Sequence, residues 1–131
     1  MSINVKWITT IFVLYTILVM IGAFHPRPPI PDLPVEWNIS KVGHFVQYFI
    51  FAFIYYLMRR KYGASRKFIY IEIFFIGAFI SVATEEIQRF IPGRTQSWWD
   101  VVFNLLGFYS FIGVSRMFAM RNDKSRRRDE Q

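Results

Sequence analysis

The chain contains no cysteine, which excludes a disulfide framework, a thiolate nucleophile and a thiolate metal site. Histidine occurs only at His25 and His44, without the close pairing that marks common zinc sites. Acidic residues are scarce, nine against sixteen lysines and arginines, for a formal net charge of +7. What the sequence has in abundance is apolar side chain. Hydrophobic residues make up 53% of its 131 residues and aromatics 20%, with a mean hydropathy of +0.26. This length holds one domain, and it is too oily for a small soluble one. A net positive charge in a soluble protein would point to nucleic acid. Here the basic residues cluster between and after apolar runs, a pattern of membrane topology, so nucleic acid is not an expected partner.

Four apolar runs carry the excess, and the expected spans are 7–24, 42–58, 68–90 and 98–120. The first, Trp7 to Phe24, has no charge over 18 residues, about 27 Å as a helix. It is long for the apolar core of a signal peptide, and Ile21 before Ala23 makes a poor cleavage site, so it reads as a retained span. From His25 to Pro34, five prolines in ten residues forbid a helix and favour a stiff extended loop. Ser40 is a candidate N-cap for a second helix starting at Lys41 or Val42. Lys41, His44, Gln47 and Tyr48 then share one face at its start. Arg59 to Lys67 carries five basic residues and no acid. In the third run, Glu72 reads as an interfacial charge near that basic loop. Ser81, Glu85 and Gln88 form a polar stripe, and Pro92-Gly93 ends the helix. Ser97-x-x-Asp100 has the pattern of a capping box for the fourth run, with Trp98 and Trp99 placed as an aromatic belt. Residues 121–131 read as a basic cytoplasmic tail, mobile beyond the last span.

Four spans place twelve Lys and Arg on one side and four (Arg27, Lys41, Arg89 and Arg94) on the other. The excess of positive charge on cytoplasmic loops then puts both termini in the cytoplasm. The proline-rich loop and the segment from Glu85 to Asn104 face outward. The expected fold is therefore all-α, a polytopic membrane bundle of four transmembrane helices in one domain, with its termini inside.

Two glutamates, two glutamines, two arginines, an aspartate and an asparagine lie between Glu85 and Asn104. Polar groups at a membrane boundary lose hydration and persist where they satisfy one another or bind something. Each residue also has a plainer role. Glu85 or Glu86 pairs with Arg89 along the helix, Asp100 caps, and Asn104 bridges helices by its amide. As a set they make a candidate ligand site: Lys41, His44, Tyr48, Glu85, Gln88, Arg94, Asp100 and Asn104. The second and fourth helices are expected to begin at this level, so two positive dipole ends with Lys41 and Arg94 would favour an anion. A metal held by His44, Glu85 and Asp100 has suitable ligand types but no supporting spacing, and no metal or cofactor is expected.

In order along the chain these residues read Lys41-x-x-His44-x-x-x-Tyr48, Glu85-x-x-Gln88, Pro92-Gly93-Arg94, Ser97, Asp100 and Asn104-x-x-Gly107. That ordered set resembles the VanZ-like family of small membrane proteins over Lys41 to Gly113. Glu86 and the Trp98-Trp99 pair are additions that leave the pattern intact. The resemblance implies a bacterial cell-envelope protein of the cell membrane, and the family's namesake is associated with resistance to teicoplanin rather than vancomycin. The expected function is binding of an anionic or lipid-linked envelope ligand at the outward site. Membrane lipid, a lipid-linked cell-wall precursor and a lipoglycopeptide are the expected partners. Arg94 and Lys41 would hold the anion, while Glu85, Gln88, Asp100 and Asn104 shape the pocket and His44 and Tyr48 supply adjustable hydrogen bonds. The alternative is an enzyme acting on a lipid-linked precursor, with Glu85 or Asp100 and His44 as acid–base groups. A third reading is structural, the cluster locking the bundle.

Overall fold

A computed structural model of the chain describes residues 4–26, 34–94 and 96–129. Four helices account for nearly all of these: α1 (Val5–Phe24), α2 (Pro34–Lys61), α3 (Arg66–Gln88) and α4 (Trp98–Asp129). No strand occurs among the described residues. Local chemistry sets most of the ends. The Asn4 side chain accepts from the Lys6 N–H at 3.1 Å and opens α1, while the His25 N–H closes it on the Ile21 carbonyl at 2.9 Å. Pro26 cannot continue the helix. α2 closes at Gly63 (φ +81°). There the Ala64 N–H reaches the Arg59 carbonyl and the Gly63 N–H the Arg60 carbonyl, both at 3.1 Å, the two bonds of a Schellman cap. Ser65 then caps α3 by accepting from the Phe68 N–H at 3.3 Å.

Two boundaries differ from expectation. α2 begins at Pro34, so Ser40 lies inside the helix and is not its N-cap. Proline's missing N–H costs nothing in a first turn, and its fixed φ suits one. Of the extended loop expected over His25 to Pro34, Pro34 is helical, and residues 27–33 lie outside the described residues. At the other end, α4 continues to Asp129, so residues 121–129 are helical rather than a loose tail. Arg, Lys and Asp all tolerate a helix, and no Gly or Pro interrupts them.

α2 is the central helix, packed against all three others and most extensively against α4. The core joins Val19, Tyr48, Phe51, Ala52, Ile69, Ile73, Phe108 and Phe111. Phe108 meets the rings of Tyr48 and Phe51 at centroid separations of 5.2 and 5.7 Å. Gly107 lets α4 approach the backbone of α2 at Phe45 and Phe49, where any β-carbon would collide. Gly77 of α3 leaves room for the Phe108 ring in the same way.

The outside of the bundle is apolar, with Leu14, Leu18, Phe75 and Phe79 all more than 60% exposed. α1, α3 and the Trp98–Ser125 part of α4 are long and apolar enough to cross a membrane, and their apolar windows are only 17%, 33% and 28% buried. α2 does not meet that measure, because it carries Lys41, His44 and Gln47 in its first half. The chain is thus a helical membrane protein with at least three segments capable of spanning. At the α1-start end of the bundle, Glu72 accepts from Arg59 Nε and Nη2 at 2.8 and 2.6 Å and from the Tyr55 hydroxyl at 3.2 Å. The expected pairing of Glu72 with the basic stretch is therefore made, through Arg59.

Candidate functional site

The opposite end gathers the sequence-predicted residues. α2, α3 and α4 bring Lys41, Glu85, Gln88, Asp100 and Asn104 together with no residue more than 8% exposed. The Lys41 ammonium pairs with Asp100 Oδ1 and donates to Ser97 Oγ at 3.1 Å. The second Asp100 oxygen lies 3.4 Å from His44 Nε2. A carboxylate, an ammonium and an imidazole from two helices therefore form one group.

The capping-box residues serve tertiary partners instead of each other. In a capping box the Asp100 carboxylate would take the Ser97 N–H. Here that N–H goes to Glu85 Oε2 at 3.1 Å, and the Ser97 hydroxyl goes to Lys41. Only the backbone turn survives, the Asp100 N–H reaching the Ser97 carbonyl at 2.8 Å. Glu85 is likewise drawn away from an intrahelical pair. It lies within Coulombic reach of Asp100, Lys41 and Arg94, whereas the half-buried Glu86 faces Arg89 at 3.8 Å and accepts from Gln96 at 2.8 Å. Two acids at the negative end of α3 need such partners, and both have them.

Arg94 and Gln88 face a third element. Gln88 Nε2 donates to the Ala23 carbonyl at 3.0 Å. Arg94 donates through Nε to the His25 carbonyl at 3.2 Å and through Nη2 to the Gly22 carbonyl. These side chains occupy the last carbonyls of α1, the negative end of its dipole. The expectation of two helix N-termini at the site is corrected to one. α2 starts seven residues before Lys41, about 10 Å along its axis, and only α4 begins at the cluster, with Asp100 in its first turn.

Tyr48 lies deeper, 1% exposed, with its hydroxyl against Thr84. Asn104, also 1% exposed, sits one turn further along α4 than Asp100. Its expected amide bridge between helices is not made among the described residues. Sequence reasoning did not anticipate Thr84 or the α1 carbonyls, since backbone acceptors leave no trace in residue identity. Among the described residues, no group of three His, Asp or Glu side chains is placed to hold a metal.

Comparisons with known proteins fit this arrangement. Residues 3–119 match the VanZ/LLP1 family, a wider stretch than the motif alone covers. An uncharacterised protein of Schizosaccharomyces pombe is 30% identical over 97 residues, which is 74% of this chain. The chain spans only 57% of that relative's length. The relative is eukaryotic, so the likeness extends beyond bacterial envelopes. No solved structure matches the chain. With the motif residues gathered at one end of an apolar helical bundle and the family match running over nearly its whole length, the chain belongs to the VanZ/LLP1 family.

Proposed function

We propose that this protein spans the membrane four times, with both termini in the cytoplasm, and that its polar end binds the anionic head of a lipid-linked ligand from the outer side. The observation that carries the reading is the burial of Lys41, Glu85 and Asp100, with His44 beside them, inside a bundle whose outer surface is apolar. Buried charge is costly even when paired, and apolar packing of similar volume would often be as stable. Its retention at a membrane boundary favours use. Lys41 and Arg94 supply the positive charge, His44 adds an adjustable hydrogen bond, and α4 contributes its N-terminal dipole. An arriving anion competes for the Lys41 ammonium with Asp100 and for the Arg94 guanidinium with the α1 carbonyls. Tyr48, Glu85, Gln88 and Asn104 line the same region.

In a bacterial host the ligand would be a lipid-linked cell-wall precursor or a lipoglycopeptide, and the phenotype resistance to teicoplanin. Growth inhibition by teicoplanin and by vancomycin tests this. Cells lacking the protein are compared with cells making it and with cells making Arg94→Ala at matched membrane levels. Protection against teicoplanin that is lost in the variant is the expected result, and equal sensitivity at equal expression removes the resistance reading.

A second reading rests on the contact of His44 Nε2 with Asp100, the geometry of an imidazole oriented by a carboxylate. With Glu85 nearby, this group could move a proton at a lipid-linked substrate. Asp100→Asn keeps the shape and removes the charge. Loss of activity in a well-folded Asp100→Asn protein that still binds ligand would favour catalysis over binding.

A further inference from the structure

Below the Lys41–Asp100 pair lies a second polar set whose open atoms none of the foregoing contacts uses. Ser81 and Glu85 are one turn apart on α3, and Asn104 is on α4. Their exposures are 0%, 1% and 1%. Glu85 Oε1, Ser81 Oγ and both amide atoms of Asn104 have no hydrogen-bond partner among the described residues. The helix register brings the three together. Gly77 packs on Phe108, and two turns on Glu85 reaches the start of α4 at Ser97. In this antiparallel pair Ser81, midway between, is level with Asn104. The Ser81 hydroxyl is also unlike others in the bundle. Thr9, Thr10, Thr16 and Thr84 each fold back on the carbonyl four residues earlier, at 2.8 to 3.0 Å, the usual resort of a mid-helix hydroxyl. Ser81 does not.

The chemistry of the open atoms selects a partner. Glu85 Oε1 and Asn104 Oδ1 accept, Asn104 Nδ2 donates, and Ser81 Oγ does either. A phosphate only accepts, would leave the two acceptors unmet, and would face Glu85 and Asp100. A hydroxyl or an amide donates and accepts, so it matches the set.

We infer that Ser81, Glu85 and Asn104 form a subsite for a hydroxyl- or amide-bearing group of the ligand's head, one turn deeper than its anion. This rests on the reading of the polar end as an anion-binding site. It adds that the site distinguishes heads carrying such a group from bare phosphates. Gln88 and Arg94 lie at the same end of the bundle, and their bonds to the α1 carbonyls are exchangeable for bonds to a ligand.

Two anionic lipids, one with a hydroxyl-bearing head and one with a bare phosphate, test it. The purified full-length protein is incubated with phosphatidylcholine vesicles doped with either phosphatidylglycerol, which adds hydroxyls to the phosphate, or phosphatidic acid, at equal surface charge. Binding is read from the thermal unfolding shift. The expected result is about tenfold tighter binding of phosphatidylglycerol, the value of one or two hydrogen bonds in a buried site. That preference should vanish in Ser81→Ala and in Asn104→Leu, two variants chosen so that misfolding of either leaves the other. Equal binding of the two lipids by the parent protein overturns the subsite and leaves the anion reading standing. A preference that survives in the folded variants also overturns it, since the hydroxyl is then read elsewhere. Binding of neither lipid above plain phosphatidylcholine overturns both.

Discussion

Replacing Lys41 by Met strands the Asp100 carboxylate. The two residues are 5% and 8% exposed, and the imidazole 3.4 Å away is Asp100's other contact. Removing one member of a buried ion pair costs about 3–5 kcal/mol, because the survivor keeps its desolvation penalty without its partner. Against a typical total stability of about 5–15 kcal/mol, this is a large loss. Asp100→Leu should be milder. The lysine stem lets the ammonium turn toward the headgroups, and Ser97 Oγ remains a partner. About 1–3 kcal/mol is expected for the underused charge, with a few tenths more for the acid lost from the first turn of α4. The double change Lys41→Met with Asp100→Leu removes both charges, and apolar substitution of a buried pair is often neutral. It should fall within about 1 kcal/mol of the parent, a coupling of at least about 3 kcal/mol in the cycle. Unfolding by sodium dodecyl sulfate in mixed micelles, followed by tryptophan fluorescence, gives all four values. A double variant no more stable than the worse single one would refute the reasoning, as would a Lys41→Met cost below about 1 kcal/mol.

At Gly107 an added methyl meets the Phe45 backbone, so Gly107→Ala should lower stability by about 1–3 kcal/mol or more by forcing α2 and α4 apart. The control is Gly113→Ala, whose β-carbon meets nothing within 4 Å and which should gain up to about 1 kcal/mol in the same detergent-unfolding assay. Glu72→Gln weakens the bidentate Arg59 contact at the far end. Its partners are partly exposed, so about 1 kcal/mol of stability is expected to go, while the teicoplanin comparison and lipid binding should be unchanged because distant sites act independently. For orientation, the absence of cysteine gives a clean background. A cysteine at Gln96 should react with an impermeant maleimide on intact cells and one at Lys61 only after lysis, and the reverse pattern would invert the topology.

The polar end was legible as a set of residues but not as a set of contacts. Lys41, His44 and Asp100 do meet, as their spacing on two apolar runs implied, and Glu85 and Gln88 do share a buried face of α3. The pairings expected from spacing along the chain were replaced. Asp100 looked like a cap for Ser97, and Glu85 like a partner for Arg89. Each found a better partner across the bundle, because a buried carboxylate gains more from an ammonium or a desolvated N–H than from a neighbour at the surface. The start of α2 was misplaced for a similar reason. Proline was read as a helix breaker, while in a first turn it is a helix starter.

Helices, apolar faces, Schellman-type and asparagine caps, and the candidate residues follow from signals carried by a few neighbouring positions, so the sequence by itself determined them. Long charge-free runs leave a helix as the simplest structure that satisfies its own backbone in lipid. Only the tertiary structure decided which polar atoms are paired. It assigned Arg94 and Gln88 to the carbonyls of α1, gave the Ser97 N–H to Glu85, and left the polar atoms of Ser81 and Asn104 buried without a bond among the described residues. Those outcomes depend on the relative register of three helices, fixed at Gly77 and Gly107 by close packing, and a shift of one turn would reassign every pair.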